Sequence, residues 1–466
     1  MISEVKNKLT PLTRVLSRYL VTTTFQDLPD EGIQAAKLTI LDSITCMLGG
    51  IFTPAGEIVT RVMGKGRGNR ESTILGLGHK TDALAASLTN AVLANALDYD
   101  DYYPVCHPSA TIVPPGMAVS ESSGADGKTL LTAVVVANEV YIRVMDSILA
   151  SNEQQKKIFG FGTHQTFGAT AVAGKILGLD EEQMAHAIGI AGANAPVPAS
   201  LKTVYGDSVT MVKNNYGIAS FVGVLSAKLA QSGFIGPLDI FEGDTGFWRM
   251  SGSDQFNPLK MTEGLGSDFR ITRISFKPYP CCRWIHSALD GIFQIIKEGN
   301  PSPDKIQKIE VRSFSLCTSP PFSNRRPKTF DEASFSTPYL ISMAILGVPP
   351  GPKWYREDTR QRPDVLALAN KVTLIDDEEA NSLFPEKLLS KVTLYTAEES
   401  FYAHIEFPFG GPERPMKEAD LVKKFIQLTE GLFSNDQRDQ CLEWIRNLEK
   451  KKDLRKLTRL LTFRNV

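Results

Sequence analysis

Between positions 98 and 109 the chain reads Asp98-Tyr99-Asp100-Asp101-Tyr102-Tyr103-Pro104-Val105-Cys106-His107-Pro108-Ser109. Carboxylates this close in sequence cannot all sit apart, so burial of the segment would shift at least one of their pKa values. A histidine held between two helix ends titrates near neutral pH and can give or take a proton. Aromatic and proline residues interleaved with the acids disfavour a plain solvated loop. If the preceding helix continues, Asp98 and Asp101 share one of its faces, which opens a Mg²⁺ reading. The facing acidic and basic clusters that a diphosphate site needs are not found elsewhere. A second polar cluster, Phe159-Gly160-Phe161-Gly162-Thr163-His164-Gln165-Thr166, leads into a small-residue helix through Ala169, Ala171, Val172 and Ala173. The N-terminus of such a helix suits a carboxylate, and His164 is either part of a site there or an exposed N-cap. Lys213, beside Asn214, Asn215 and Tyr216, is a cation one turn into a helix that Ser208 could cap.

Positioning these groups requires elements, and from Val5 to about Gln231 the rhythm is helical. Ile33, Ala36, Leu38, Ile40, Leu41 and Ile44 recur at helical spacing and stop at Gly49-Gly50. The segments from Asp82 to Leu97 and from Leu130 to Met145 repeat the pattern with many small residues. Asp180 with Gln183 reads as a capping box. The character changes near Asp268: 267–276 and 308–316 alternate like strands, and Val392–Tyr395 with Tyr402–Phe407 read as a hairpin. Helices are expected at 285–297 and 336–346. After Gly410-Gly411-Pro412 the chain returns to helices, from Glu418 to Leu461. The Lys- and Arg-rich end of that stretch reads as a solvated face.

With 466 residues, two or three packed units are expected. The 51 basic residues against 52 acidic ones leave a formal charge of −1, so no global field draws in nucleic acid or an anionic membrane. A hydrophobic share of 42 % and a charged share of 22 % are globular composition and exclude extensive disorder. The six cysteines are scattered except for Cys281-Cys282. Adjacent cysteines chelate one tetrahedral ion poorly, and an aconitase-type iron–sulfur cluster needs three. No signal-peptide pattern or bilayer-length apolar run is visible, so a reduced, cytoplasmic protein is expected.

Several stretches together resemble the MmgE/PrpD family: LDSITCMLGG (41–50), LANALDYDD with CHPS (93–109), AGKILGL with AHAIGIAGA (173–193) and FIGPLDIFEG (234–243). KPYPCCRWIHSALDG (277–291) and EASFSTPYLISMAILG (332–347) extend the match to nearly the whole chain. The resemblance implies a mostly α fold: a large helical domain built from 1–266 and 411–466, with a smaller α/β lid domain inserted at 267–410. It also implies a homodimer, for which the small-residue helix around Ala85–Ala96 would supply a packing face, and catalysis without metal or organic cofactor. Members include 2-methylcitrate dehydratases, cis-aconitate decarboxylases and iminodisuccinate epimerases. Their shared chemistry starts at a carbon next to a carboxylate, where loss of a proton or CO₂ creates charge that a cation and hydrogen-bond donors must stabilise.

Carried over position by position, Asp98 and His107 match the family's acidic helix end and acid/base histidine. Tyr339 matches a site tyrosine, Lys213 the site lysine, and Lys277, Cys282 and Arg283 the segment that closes over substrate carboxylates. Tyr102 stands where the family often has threonine. Counting back from Gly178-Leu179 puts the family's second site histidine at Phe159, and this chain offers His164 instead. The expected assignment is therefore His107 as proton carrier, Lys213 and Arg283 on carboxylates, and His164 or Tyr339 serving the leaving group. The leading expectation is a lyase of the 2-methylcitrate dehydratase type on a small polycarboxylic acid. An imino- or amino-dicarboxylate epimerase, a cis-aconitate-type decarboxylase and an inactive helical binding protein are the alternatives.

Overall fold

The computed structural model describes residues 10–64, 68–104, 106–158, 163–197, 201–202 and 216–463. Helices dominate, and the strands form two small sheets. Strands β1 (Ser72–Ile74) and β2 (His79–Thr81) make an antiparallel pair. The other sheet has the order β4-β3-β5-β6, from β3 (Lys308–Ser313), β4 (Val372–Asp376), β5 (Ser390–Tyr395) and β6 (Ser400–Ile405). Only β3 and β4 run parallel, with Ile309 level with Val372 on one side and Leu394 on the other. Helix His286–Gly299 covers β5 and β6, and Gly291 permits the approach: a Cβ there would stand 2.8 Å from Val392.

Two hydrophobic clusters organise the chain. One gathers residues from Leu16 to Phe276 and again from Met416 to Phe463. The other runs from Tyr279 to Ala403 and reaches across to Cys46, Leu97, Tyr99 and Leu428. In the first, helix Tyr216–Gln231 packs against Gln165–Ile176, Ala83–Asn95 and Glu181–Asn194. Small residues set that spacing, since a Cβ on Gly223 would lie 2.4 Å from the Ala169 Cβ.

Local signals place most of these helices. The Asp180 carboxylate accepts from the Gln183 N–H, 2.8 Å, and the Gln183 side chain answers the Asp180 N–H, as a capping box requires. Helix Asp30–Gly50 ends at the expected glycines. One expectation fails. The alternating stretch 267–276 is no strand: Arg270–Arg273 form a 3₁₀ turn, because the Ile271 N–H is taken by the buried Glu139 carboxylate and Arg270 by Asp146. The C-terminal stretch returns to helices as expected, Glu418–Leu428, Asn435–Arg446 and Arg455–Leu460. The small-residue helix Ala83–Asn95 is mostly buried against helices of the same chain. Among the described residues no single helix is long and apolar enough to cross a membrane.

Candidate active site

The acidic segment is organised by where its helix stops. Asp82 caps helix Ala83–Asn95 by accepting from the Ala85 N–H, 2.9 Å. The helix closes before the acids begin, and Asp98 turns into the left-handed region at φ 51°, which aspartate tolerates better than most residues. Asp98 and Asp101 therefore do not line one helix face. Each carboxylate meets a different partner. Asp98 receives the Lys277 ammonium, Asp100 faces His107, and Asp101 accepts from the Ser109 hydroxyl and N–H.

His107 is held at the centre of this arrangement. Its Nδ1 lies 2.9 Å from the Asp101 carbonyl and 3.3 Å from Asp100 Oδ2. Both partners are acceptors, so Nδ1 carries the proton. Asp100 is fixed in turn by the Asn95 amide, which donates to its two oxygens at 2.9 and 3.0 Å. Burial would raise the Asp100 pKa, but the nearby His107 and Lys277 charges outweigh it and the net shift is downward. Burial and the Asp100 charge together push Asp101 well above the carboxylate range. The segment thus favours the charge on Asp100 and disfavours it on Asp101. Sequence reasoning singled out Asp98 and passed over Asp100 and Asn95; the spacing of an amide five residues before a carboxylate carried no signal by itself.

The opposite wall comes from 277–286. Lys277 is buried, with its ammonium on both the carboxylate and the carbonyl of Asp98, the latter at 3.0 Å. Desolvation opposes its charge, yet Asp98 and Asp100 hold its pKa above the ordinary lysine value. Arg283 donates to the carbonyls of Phe409 and Pro408 at 2.7 and 2.9 Å and lies over the Tyr102 ring, 4.7 Å from its centre. Its buried Nε–H has no acceptor among the described residues. Tyr102 is tied to the same region by an antiparallel bridge to Ser275. Cys282 is half-buried and perturbs Lys277 electrostatically. His286, unremarked in the sequence, has Nδ1 3.1 Å from the Arg283 guanidinium and Nε2 3.3 Å from the Cys281 carbonyl. Since arginine only donates, the proton sits on Nε2, and burial with the two nearby cations drives this imidazole neutral.

The structure does not bring every expected residue to this cluster. His164 precedes helix Gln165–Ile176 as its N-cap residue but is buried, against the exposed alternative, and makes no side-chain cap. It stands edge-on to Tyr141 with ring centres 4.9 Å apart, its Nε2 has no partner among the described residues, and burial lowers its pKa to about 3. Burial therefore favours its neutral form at neutral pH. Tyr339 is wholly buried and gives its hydroxyl proton to the Trp354 carbonyl, so its oxygen is committed within the second cluster. Lys213 and Phe159 lie outside the described residues. Asp98, Asp100 and His107 could be taken for metal ligands, since their donor atoms lie within 4.8 Å of one another. The Lys277 ammonium already stands on Asp98 as the cation of that cluster.

Sequence comparison decides which family this site belongs to. Residues 14–259 match the MmgE/PrpD N-terminal domain and residues 279–450 the MmgE/PrpD C-terminal domain. The chain belongs to the MmgE/PrpD family. The two matches meet across the site, with Asp98, Asp100 and His107 in the first and Arg283 in the second. Cis-aconitate decarboxylase of Aspergillus terreus is 25 % identical over 461 residues, covering 93 % of this chain and 92 % of that protein. Cis-aconitate decarboxylase of Homo sapiens is 25 % identical over 456 residues, covering 93 % and 91 %. The Mus musculus protein of the same name is 25 % identical over 453 residues, covering 93 % and 90 %.

Proposed function

We propose that this MmgE/PrpD protein is a lyase acting on a small polycarboxylic acid, and that the reaction it favours is loss of CO₂ from an unsaturated tricarboxylate such as cis-aconitate. The observation that carries the reading is the Asn95–Asp100–His107 relay beside the Lys277 ammonium. Decarboxylation of an alkene acid breaks one C–CO₂⁻ bond, the electron pair moves through the double bond, and one proton adds at its far carbon. A single proton donor is enough, and His107 supplies it, later recovering the proton from water. Lys277 and Arg283 would face the remaining carboxylates, and a substrate oxygen could take the Arg283 Nε–H that lacks an acceptor among the described residues. Dehydration needs a base for the proton and an acid for the leaving hydroxyl, and epimerisation needs proton transfer on two opposite faces. The buried, neutral His164 and the committed Tyr339 make a weak second partner for either. The names of the relatives point the same way.

The test is incubation in D₂O with cis-aconitate, 2-methylcitrate, citrate and aspartate-derived acids, followed by proton NMR and CO₂ detection. Release of CO₂ with a single deuterium in the remaining dicarboxylate is the expected result. Water loss from 2-methylcitrate or citrate without CO₂ would replace decarboxylation by dehydration.

A further inference from the structure

We infer that Lys424, on helix Glu418–Leu428 of the C-terminal stretch, is a positioning residue that locks the His107 turn and the Lys277 segment together. The inference rests on the site reading above but concerns a residue that touches neither His107 nor a substrate. Lys424 is buried, and its ammonium has a shell of three oxygens: Asp42 Oδ1 at 2.6 Å, the Tyr99 carbonyl at 2.5 Å and the Lys277 carbonyl at 3.3 Å. It also lies over the Tyr99 ring, 3.9 Å from its centre. Tyr99 is the residue between Asp98 and Asp100, so one cation clamps the peptide units flanking both site carboxylates and the lysine that binds one of them.

The geometry makes the clamp specific. Asp42 comes from the middle of helix Asp30–Gly50, Tyr99 from the turn after helix Ala83–Asn95, and Lys277 from the entry to the second hydrophobic cluster. A backbone bridge between Tyr102 and Ser275 joins the second of these segments to the third, and the three donors of Lys424 add ties at Tyr99 and Lys277 and bring in Asp42. Burial alone would lower the Lys424 pKa, but Asp42 and the other neighbours outweigh it and the net shift is upward, so the clamp stays charged. A packing residue would need no charge here. An ammonium desolvated this completely is justified by the two carbonyls it orders.

The test compares wild type with Lys424→Met, the double variant Asp42→Asn/Lys424→Met, which leaves no buried carboxylate unpaired, and Lys424→Arg, which keeps the charge. Thermal melts establish which variants are folded. The chain has six histidines, so ¹³C-histidine labelling resolves the His107 ring resonance, assigned by its loss in His107→Gln. In folded variants lacking the cation, that resonance should move while those of His79 and His404 stay. With cis-aconitate as the probe, kcat should fall roughly ten- to a hundredfold with KM within about threefold, the split expected of misplaced catalytic groups. Lys424→Arg should recover part of the loss. An unmoved His107 resonance, or an unchanged kcat, in any folded variant lacking the cation overturns the inference. If wild type does not act on cis-aconitate, the proposed reaction fails, and the His107 resonance alone decides the role of Lys424.

Discussion

Replacing His164 by phenylalanine keeps a ring against Tyr141 and removes a titration that burial suppresses. The histidine moves from an ordinary pKa of 6.5 in the unfolded chain to about 3 in the folded one, with burial the cause. Below pH 6.5 the unfolded chain therefore binds a proton that the native state refuses. More protons in the unfolded state mean that stability rises with pH, so this group's contribution is complete above pH 6.5 and is lost as pH falls toward 3. Each pH unit inside that window is worth about 1.4 kcal/mol, so wild type should lose roughly 2–3 kcal/mol between pH 6.5 and 4.5 through His164 alone. Other groups titrate there too, but they are common to both proteins and cancel in the difference. Urea midpoints taken every half unit from pH 7.5 to 4.5 measure it. At neutral pH the variant should be at least as stable, because a buried nitrogen without a partner among the described residues is gone. The wild-type curve should then fall progressively further below the His164→Phe curve as the pH drops. Parallel curves across the whole range would refute the reasoning, since they would mean that His164 is solvated or charged in the native state.

His107→Gln should lower turnover of cis-aconitate by roughly two to four orders of magnitude while leaving the melting temperature nearly unchanged. Asp100→Asn should lower kcat by a smaller factor, about ten- to a hundredfold, because it removes the orienting acceptor but leaves the imidazole; steady-state kinetics separate the two. Arg283→Lys should raise KM roughly tenfold with a smaller change in kcat, since an ammonium cannot hold two carbonyls and stack on Tyr102 at once. Exhaustive EDTA treatment should leave activity intact, and a loss restored by added Mg²⁺ would put a metal on Asp98, Asp100 and His107 in place of the Lys277 ammonium.

Much of this fold was legible because its helices announce themselves locally. Asp82 and Asp180 cap as their spacing implies, and the hairpin of β5 and β6 sits where the alternation placed it. The failure has a physical cause. Residues 267–276 alternate like a strand, but alternation says only which side chains are buried, and here Glu139, distant in sequence, supplies the hydrogen bond that a neighbouring strand would have made. The site shows the same limit. His107 was readable from residue type and context, whereas its pairing with Asp100 in place of Asp98 depends on a backbone reversal that periodicity does not encode.

That reversal explains how one short segment gives three acids three different partners. Were residues 96–101 helical, Asp98 and Asp101 would project from one face and repel each other. The positive φ at Asp98 turns its side chain toward Lys277 and lets Asp100 swing to His107, leaving Asp101 over Ser109. A non-glycine residue in that region costs about 1–3 kcal/mol unless its surroundings determine it. Here they do: Lys277 grips both the carbonyl and the carboxylate of the strained residue, and Lys424 holds the carbonyl of the next. Both cations are buried, and neither could remain so without the carboxylates they serve. Strain, buried charge and the orientation of His107 are therefore one problem with one solution, which is why the catalytic turn, the 277–286 segment and the C-terminal helix must all be in place before the site exists.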